Sequence, residues 1–275
     1  MPPADPMTPG PLRAVILDWA GTMIDHGSMG PVEPFLRVLR ARGIEISPQD
    51  ARGPMGRNKR DHLEALVNLP KVQRQWLEHQ RAPLGPLDLD AMFEEFVALQ
   101  MSCLLDHCAV LPGVLETIDV LRGRDLLIGS TTGYIGEMMA KLIPAVERQG
   151  LTLDAIVCAS DVVAGRPEPW MALEAARRLR AYPMSAIVKI GDTPADVAEG
   201  RNAGMWTIGV AGTGNEVGLS LAEWQALEPD ERAARLADAR QRLRACGAHD
   251  VVDDLSEVPA GLRRIESRRR QGERP

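Results

Sequence analysis

The stretch "AVILDWAGTMID", residues 14–25, decides how the chain is read. Its first four residues form an unbroken apolar run, the pattern of a strand buried on both faces of a parallel sheet. The run ends on Asp18, and a Gly-Thr pair turns the chain away. A carboxylate at a strand's carboxyl end can attack phosphorus and become an aspartyl phosphate. An isolated aspartate in that place can equally cap the following turn. Many phosphate-handling enzymes place a second aspartate two residues after the first, and here that position holds Ala20. The question is which phosphoryl chemistry needs the first carboxylate and not the second.

Further apolar runs have the same character: "LLIG" (126–129), "AIVC" (155–158), "AIVKIG" (186–191) and "WTIGV" (206–210). Helix-like stretches at 134–147, 168–180 and 194–203 separate the later ones. Strand–helix alternation predicts an α/β fold, a doubly wound parallel sheet of Rossmann-like type. Ligands collect at the carboxyl ends of such strands. Those ends carry Asp18, Thr131–Thr132, Asp161 and Asp192. Between the first two runs there is no convincing strand, only amphipathic stretches at 33–42, 58–67, 70–80 and 88–108. An insert there predicts a helical cap over residues 27–105, with residues 1–26 and 106–275 forming the α/β core. A lid so placed excludes water and adds groups that read the substrate. From residue 220 onward the pattern is helical and rich in Ala, Arg and Glu, with a short strand or turn at 250–255. The closing "RRIESRRRQGERP" (263–275) reads as a solvated tail.

Bulk composition narrows the function classes. The chain has 275 residues, 45% of them apolar and 25% charged, the profile of a soluble globular protein. A net charge of −6 disfavours nonspecific binding to nucleic acid or to anionic membranes. No apolar run approaches the roughly 20 residues that cross a bilayer. The Pro-rich start, "MPPADPMTPG", lacks the basic and apolar regions of a signal peptide and reads as a disordered lead-in. A cytoplasmic protein is expected. The four cysteines form no CxxC pair, so neither a zinc site nor a disulfide framework is indicated. Of 32 basic residues only four are lysines: Lys59, Lys71, Lys141 and Lys189. Arginine stays protonated, whereas a lysine can be tuned to act as an amine.

Four pieces line up in order: "VILDWAGT", "GSTTG", "AGRPEPW" and "KIGDTPAD". The set resembles the haloacid dehalogenase superfamily, whose order is a nucleophilic Asp, a phosphate-binding Ser/Thr, a basic residue and acidic metal ligands. The usual DxD start and third-motif Lys are replaced by Ala20 and Arg166. These departures, with "PMGRNKRDH", "GSTTGY", "IGDTPADVAEGRNAGMWTIGV" and the late "GAH", resemble the phosphonoacetaldehyde hydrolase (phosphonatase) family over about residues 14–250.

The resemblance implies cleavage of a C–P bond, with Asp18 as nucleophile and Mg²⁺ held by Asp18, the Ala20 carbonyl and Asp192. Two carboxylates and a carbonyl suit a hard ion that keeps several waters. Ala20 fits this chemistry, because a carbon leaving group needs no acid where an alkoxide would. It needs an electron sink, and an amine condensed with the neighbouring aldehyde supplies one. Ala20 would also fit an inactive phosphatase. Lys59 is the candidate amine; burial or the neighbours Arg57 and Arg60 would depress its pKa. His62, one helical turn on, is either a partner in proton transfer or a structural histidine. Met55 and Gly56 form the close-packed entry to this segment. Thr132, or alternatively Thr131, binds the phosphoryl oxygens near a helix N-terminus. Arg166 offers a fixed positive fork. Tyr134 faces either the aldehyde pocket or the core. Asp196 reads as a support for the metal ligands and Asp161 as a weaker acidic candidate. Ser28 enters the cap linker where this family often has a cysteine, so that position is read as inessential to the chemistry. The partners implied are a small-molecule phosphonate and a second copy of the chain, joined through the cap. The rival readings are a phosphatase or phosphomutase acting on a phosphate ester, and an inactive relative that only binds.

Overall fold

A computed structural model describes residues 10–275. Apart from Gly10, the Pro-rich lead-in lies outside the described residues. The strands are β1 (Ala14–Leu17), β2 (Leu127–Thr132), β3 (Ala155–Cys158), β4 (Ile187–Gly191), β5 (Trp206–Val210) and β6 (Asp250–Val252). They make one six-stranded sheet in the order β3-β2-β1-β4-β5-β6, with every neighbouring pair parallel. β1 lies centrally, and the chain moves outward to β2 on one side and to β4 on the other. The carboxyl end of β1 is therefore the switch point where an open α/β sheet leaves a crevice.

The helices are α1 (Val32–Arg40), α2 (Pro48–Arg52), α3 (Lys59–Val67), α4 (Pro70–Gln80), α5 (Pro86–Cys103), α6 (Val114–Arg122), α7 (Gly136–Glu147), α8 (Trp170–Leu179), α9 (Pro194–Asn202), α10 (Leu221–Ala226), α11 (Pro229–Ala245) and α12 (Val258–Arg270). Helices α1 to α5 all fall between β1 and β2. They close on an aromatic stack in which Phe35 lies 4.0 Å from the ring of His62 and 4.1 Å from that of Phe96. α2 is not visible as a hydrophobic period. It is a five-residue turn set by the Ser47–Asp50 capping box, with Pro48 at its first position. β2 runs past the apolar "LLIG" through Ser130, Thr131 and Thr132, whose side chains are buried and hydrogen-bonded rather than solvated. No described helix is long and apolar enough to cross a membrane.

The Arg-rich end departs from the solvated tail expected for it. Residues 258–270 are helix α12, and Val258, Leu262 and Ile265 form a fully buried stripe at helical spacing. The arginines cover apolar surface with their stems. Arg268 lies 5.0 Å over the ring of Trp206 and donates to the His249 carbonyl at 2.7 Å, and Arg269 is buried. Charge density read as solvation, while the single apolar stripe beneath it carries the packing. Ile265→Ala is therefore expected to lower the unfolding free energy by about 2–4 kcal/mol, as large-to-small core changes do. Urea denaturation would measure this, and a loss under ~0.5 kcal/mol would restore the solvated tail.

Candidate active site

Asp18 follows β1, Thr132 ends β2 and Asp192 follows β4, so three neighbouring strands deliver them to one edge of the sheet. Strand alternation separates the two threonines. Thr132 lines the pocket and accepts from the Tyr134 amide at 3.2 Å. Thr131 points below it, donates to Glu199 at 3.0 Å and accepts from Arg166 at 2.8 Å. The pocket also brings Ala20, Ser28, Met55, Gly56, Lys59, Tyr134 and Arg166 together with Asp18. Ser28, read as inessential, donates to Asp192 Oδ2 at 3.0 Å. Asp161 lies elsewhere, paired with Arg178 at 3.1 Å, and drops out as an acidic candidate.

Beneath the pocket lies a buried charge network. Arg166 reaches Asp18 at 2.7 Å, Asp196 at 3.0 Å and Glu199 at 2.8 Å, and it donates to the Thr131 and Gly56 carbonyls. Its fork is thus occupied by the protein's own acceptors rather than held free for a phosphoryl group. One edge can still trade, since Nη2 has two protons and three acceptors in Asp18 and the carbonyl and hydroxyl of Thr131. Lys189, on β4, pairs with Asp196 at 2.7 Å and Glu199 at 3.4 Å. Lys189 and Glu199 were missed at the sequence level. The scarcity of lysine was the available signal for the first of them.

Burial raises the Asp18 carboxyl above its usual value, with Arg166 partly offsetting it. Burial also raises Asp192, and the Asp18 and Asp196 charges push it further, well above the carboxylate range. For Asp196 burial is overcome by Arg166 and Lys189, and its pKa falls.

The insert contributes through residues 53–59. Gly56 has φ +89°, and a Cβ there would fall 2.2 Å from Thr193 Oγ1. A Cβ on Gly133 would fall 2.3 Å from the Arg57 carbonyl. Only glycine lets this loop press so closely on the sheet's edge. Asn58 caps α3 by accepting from the Asp61 amide at 2.8 Å, which starts the helix at Lys59. Lys59 is 5% exposed, and its ammonium lies 4.7 Å over the Tyr134 ring. Burial lowers its pKa to about 8, against the attraction of Asp18. The first turn of a helix, where the dipole disfavours a cation, acts in the same direction. Tyr134 is both core and pocket wall, and burial holds its phenol protonated.

His62 does not line the pocket. Its Nε2 lies 2.8 Å from the Ala51 carbonyl, so that nitrogen carries the proton, and Nδ1 is buried without a partner. Burial and the nearby Lys59 charge push its pKa well below the usual value. A neutral imidazole fixed in the aromatic stack is the structural alternative of the two readings.

Asp18, Asp192 and Asp196 bring carboxylate oxygens within 4.8 Å of one another. Asp196 is paired with two cations, Lys189 and Arg166, whereas Asp18 meets Arg166 alone and Asp192 only neutral donors, which makes Asp18 and Asp192 the better oxygen donors for a cation. Four buried carboxylates, Asp18, Asp192, Asp196 and Glu199, face two buried cations that pair with them, Arg166 and Lys189, and a third, Lys59, whose lowered pKa lets it shed its charge. With Lys59 neutral a divalent ion would balance the difference of two, so the residues fit a hard oxygen-liganded metal.

The family model for haloacid dehalogenase-like hydrolases matches residues 12–204. A phosphonoacetaldehyde hydrolase-like protein of Syntrophobacter fumaroxidans is 46% identical over 97% of this chain and 96% of its own. A phosphonoacetaldehyde hydrolase of Nitratidesulfovibrio vulgaris is 44% identical over 97% of this chain and 95% of its own. The crystal structure of a phosphonoacetaldehyde hydrolase-like protein from Oleispira antarctica superposes with a TM-score of 0.95 at 37% identity, covering 100% of both chains. With the aspartate of β1, the hydroxyl of β2 and the acidic pair after β4 in register, the chain belongs to the haloacid dehalogenase-like hydrolases and, among them, to the phosphonoacetaldehyde hydrolase family.

Proposed function

We propose that the chain hydrolyses phosphonoacetaldehyde to acetaldehyde and phosphate, with Lys59 as imine-forming amine and Asp18 as nucleophile. The observation that carries this reading is a buried lysine whose pKa is lowered to about 8, in one pocket with a strand-end carboxylate and an alanine where an ester hydrolase needs its acid. Lys59 condenses with the aldehyde, releasing water and leaving a protonated imine. The Asp18 carboxylate attacks phosphorus. The C–P bond breaks and its electron pair enters the imine, giving an enamine. Protonation at carbon and hydrolysis release acetaldehyde and free Lys59. Water then cleaves the aspartyl phosphate, which releases phosphate and restores Asp18.

Thr132 and the amides that follow it bind the phosphonate oxygens, and Arg166 holds Asp18 in line by its shared Nη2 edge. Residues 27–105 act as the cap, with the 53–59 loop closing over the aldehyde and excluding water. Asp18, Asp192 and the Ala20 carbonyl are the proposed ligands of Mg²⁺, which when bound screens the carboxylate from the phosphonate and stabilises transition-state charge.

The test is release of acetaldehyde and phosphate from phosphonoacetaldehyde, with Mg²⁺ and with EDTA. Equal amounts of both products, lost in EDTA, are expected. Rapid hydrolysis of phosphate esters with no acetaldehyde would favour an ester phosphatase and sink this reading.

A further inference from the structure

Arg52, the last residue of α2, is buried, and nothing in the reaction above uses it. It is 6% exposed. Its Nη1 donates to the Gly27 carbonyl at 2.6 Å and to Asn215 Oδ1 at 3.2 Å. Asn215 lies in the loop after β5 and answers by donating Nδ2 to the Arg52 carbonyl at 3.4 Å. The same carbonyl accepts from the Met55 amide at 3.0 Å, inside the loop that leads to Lys59. The backbone amide of Asn215 donates to Asp192 Oδ2 at 2.7 Å. One short path therefore runs from the loop carrying Met55 and Gly56, through Arg52 and Asn215, to the carboxylate of Asp192.

The path crosses between parts of the molecule that the chain joins only through the linkers flanking α1 to α5. An opening that parts the insert from the β5 loop breaks the reciprocal Arg52–Asn215 pair. The buried guanidinium then loses an acceptor it can replace only with water, so the pair favours the closed arrangement.

We propose that Arg52 and Asn215 are positioning residues, a latch that holds the 53–58 loop, and Lys59 behind it, in register with Asp192 when the insert is closed. The proposal rests on the reading of Lys59 as the reacting amine for its effect on turnover, but not for its effect on the loop.

The test uses the full chain with Asn215→Ala, which keeps the backbone amide on Asp192, and with Arg52→Gln and the double variant. Hydrogen exchange reads the latch with no substrate present. Each single variant is expected to speed exchange of the amides of Gly53 and of residues 55–58 about tenfold, with β1 and β4 unchanged. In turnover each single variant is expected to lower kcat/KM by about tenfold or more, and the double variant to match the worse single within about twofold, as residues sharing one interaction do. Trapping of acetaldehyde on Lys59 by borohydride at about pH 9.5, well above the pKa of about 8 that burial gives the amine, is expected to stay within about twofold of the parent. A variant that had merely unfolded would lose trapping and exchange protection throughout the sheet. Unchanged exchange at 53–58, or losses that multiply in the double variant, overturns the latch. Absence of trapping in the parent would instead overturn the imine, and the exchange data would still decide the latch.

Discussion

Lys59→Arg will release no measurable phosphate from phosphonoacetaldehyde, a loss of at least ~10³-fold, the scale seen when a nucleophilic group is removed. The substitution keeps the positive charge beside Asp18 and over the Tyr134 ring, so simple electrostatic binding would survive it. What it removes is an amine that can lose its proton, since a guanidinium does not titrate in this range. Lys59→Met, unbranched and neutral, controls for the bulk of Arg and should fail equally. The wild type carries its own signature. With a pKa of about 8, roughly one amine in ten is neutral at pH 7, against about one in three thousand for an ordinary lysine. The limiting slope of kcat/KM should be tenfold per pH unit below about 8 and flat above it. In the Arg variant retention of more than ~1% of turnover, or in the wild type a flat profile between about pH 6 and 8, would remove the imine from the reaction.

The same depressed pKa shows what a sequence can and cannot say about such a site. Asp18, Thr132 and Asp192 were legible because each follows an apolar run, and parallel strands bring their carboxyl ends together whatever lies between. Lys59 was legible through its motif and its rarity. Its protonation was not, because burial under the insert and proximity to Tyr134 are consequences of packing. Glu199 was hidden more deeply. It sits with Asp196 and Gly200 on the face of α9 turned to the sheet, where two carboxylates at helical spacing read as a solvated stripe. Contacts with Arg166 and Thr131, 33 and 68 residues away, and with Lys189 on β4 make it interior. Arg52 and Asn215 are 163 residues apart, beyond any local pattern. α12 misled in the opposite sense, because arginines cover its buried stripe. Polar residues that work inside this protein look, in one dimension, like residues that face water.

That interior polarity gives Asp18→Asn two opposite effects. Turnover should fall by at least ~10³-fold, because an amide cannot attack phosphorus to form the acyl phosphate. Stability in EDTA should not fall with it. Asn keeps Oδ1 for the 2.7 Å contact with Arg166, which retains Asp196 and Glu199 as charged partners. The substitution also removes one of the carboxylates that burial and mutual repulsion hold above their usual pKa. A carboxyl whose folded pKa lies above its unfolded one costs folding free energy wherever it is ionised. That cost is absent below the unfolded value of 3.8, grows as the pH rises through the folded value and is constant beyond it. The Tm advantage of Asp18→Asn should therefore be absent near pH 3.8, open as the pH rises and persist at pH 7. Added Mg²⁺ should shrink it, because the ion offsets in the parent the repulsion that the variant lacks. A lower Tm than the parent at neutral pH in EDTA would mean that the Arg166 attraction outweighs burial at this carboxylate. Asp18 would then be a structural anchor of the network, and the excess negative charge that argues for a divalent ion would lose its main support.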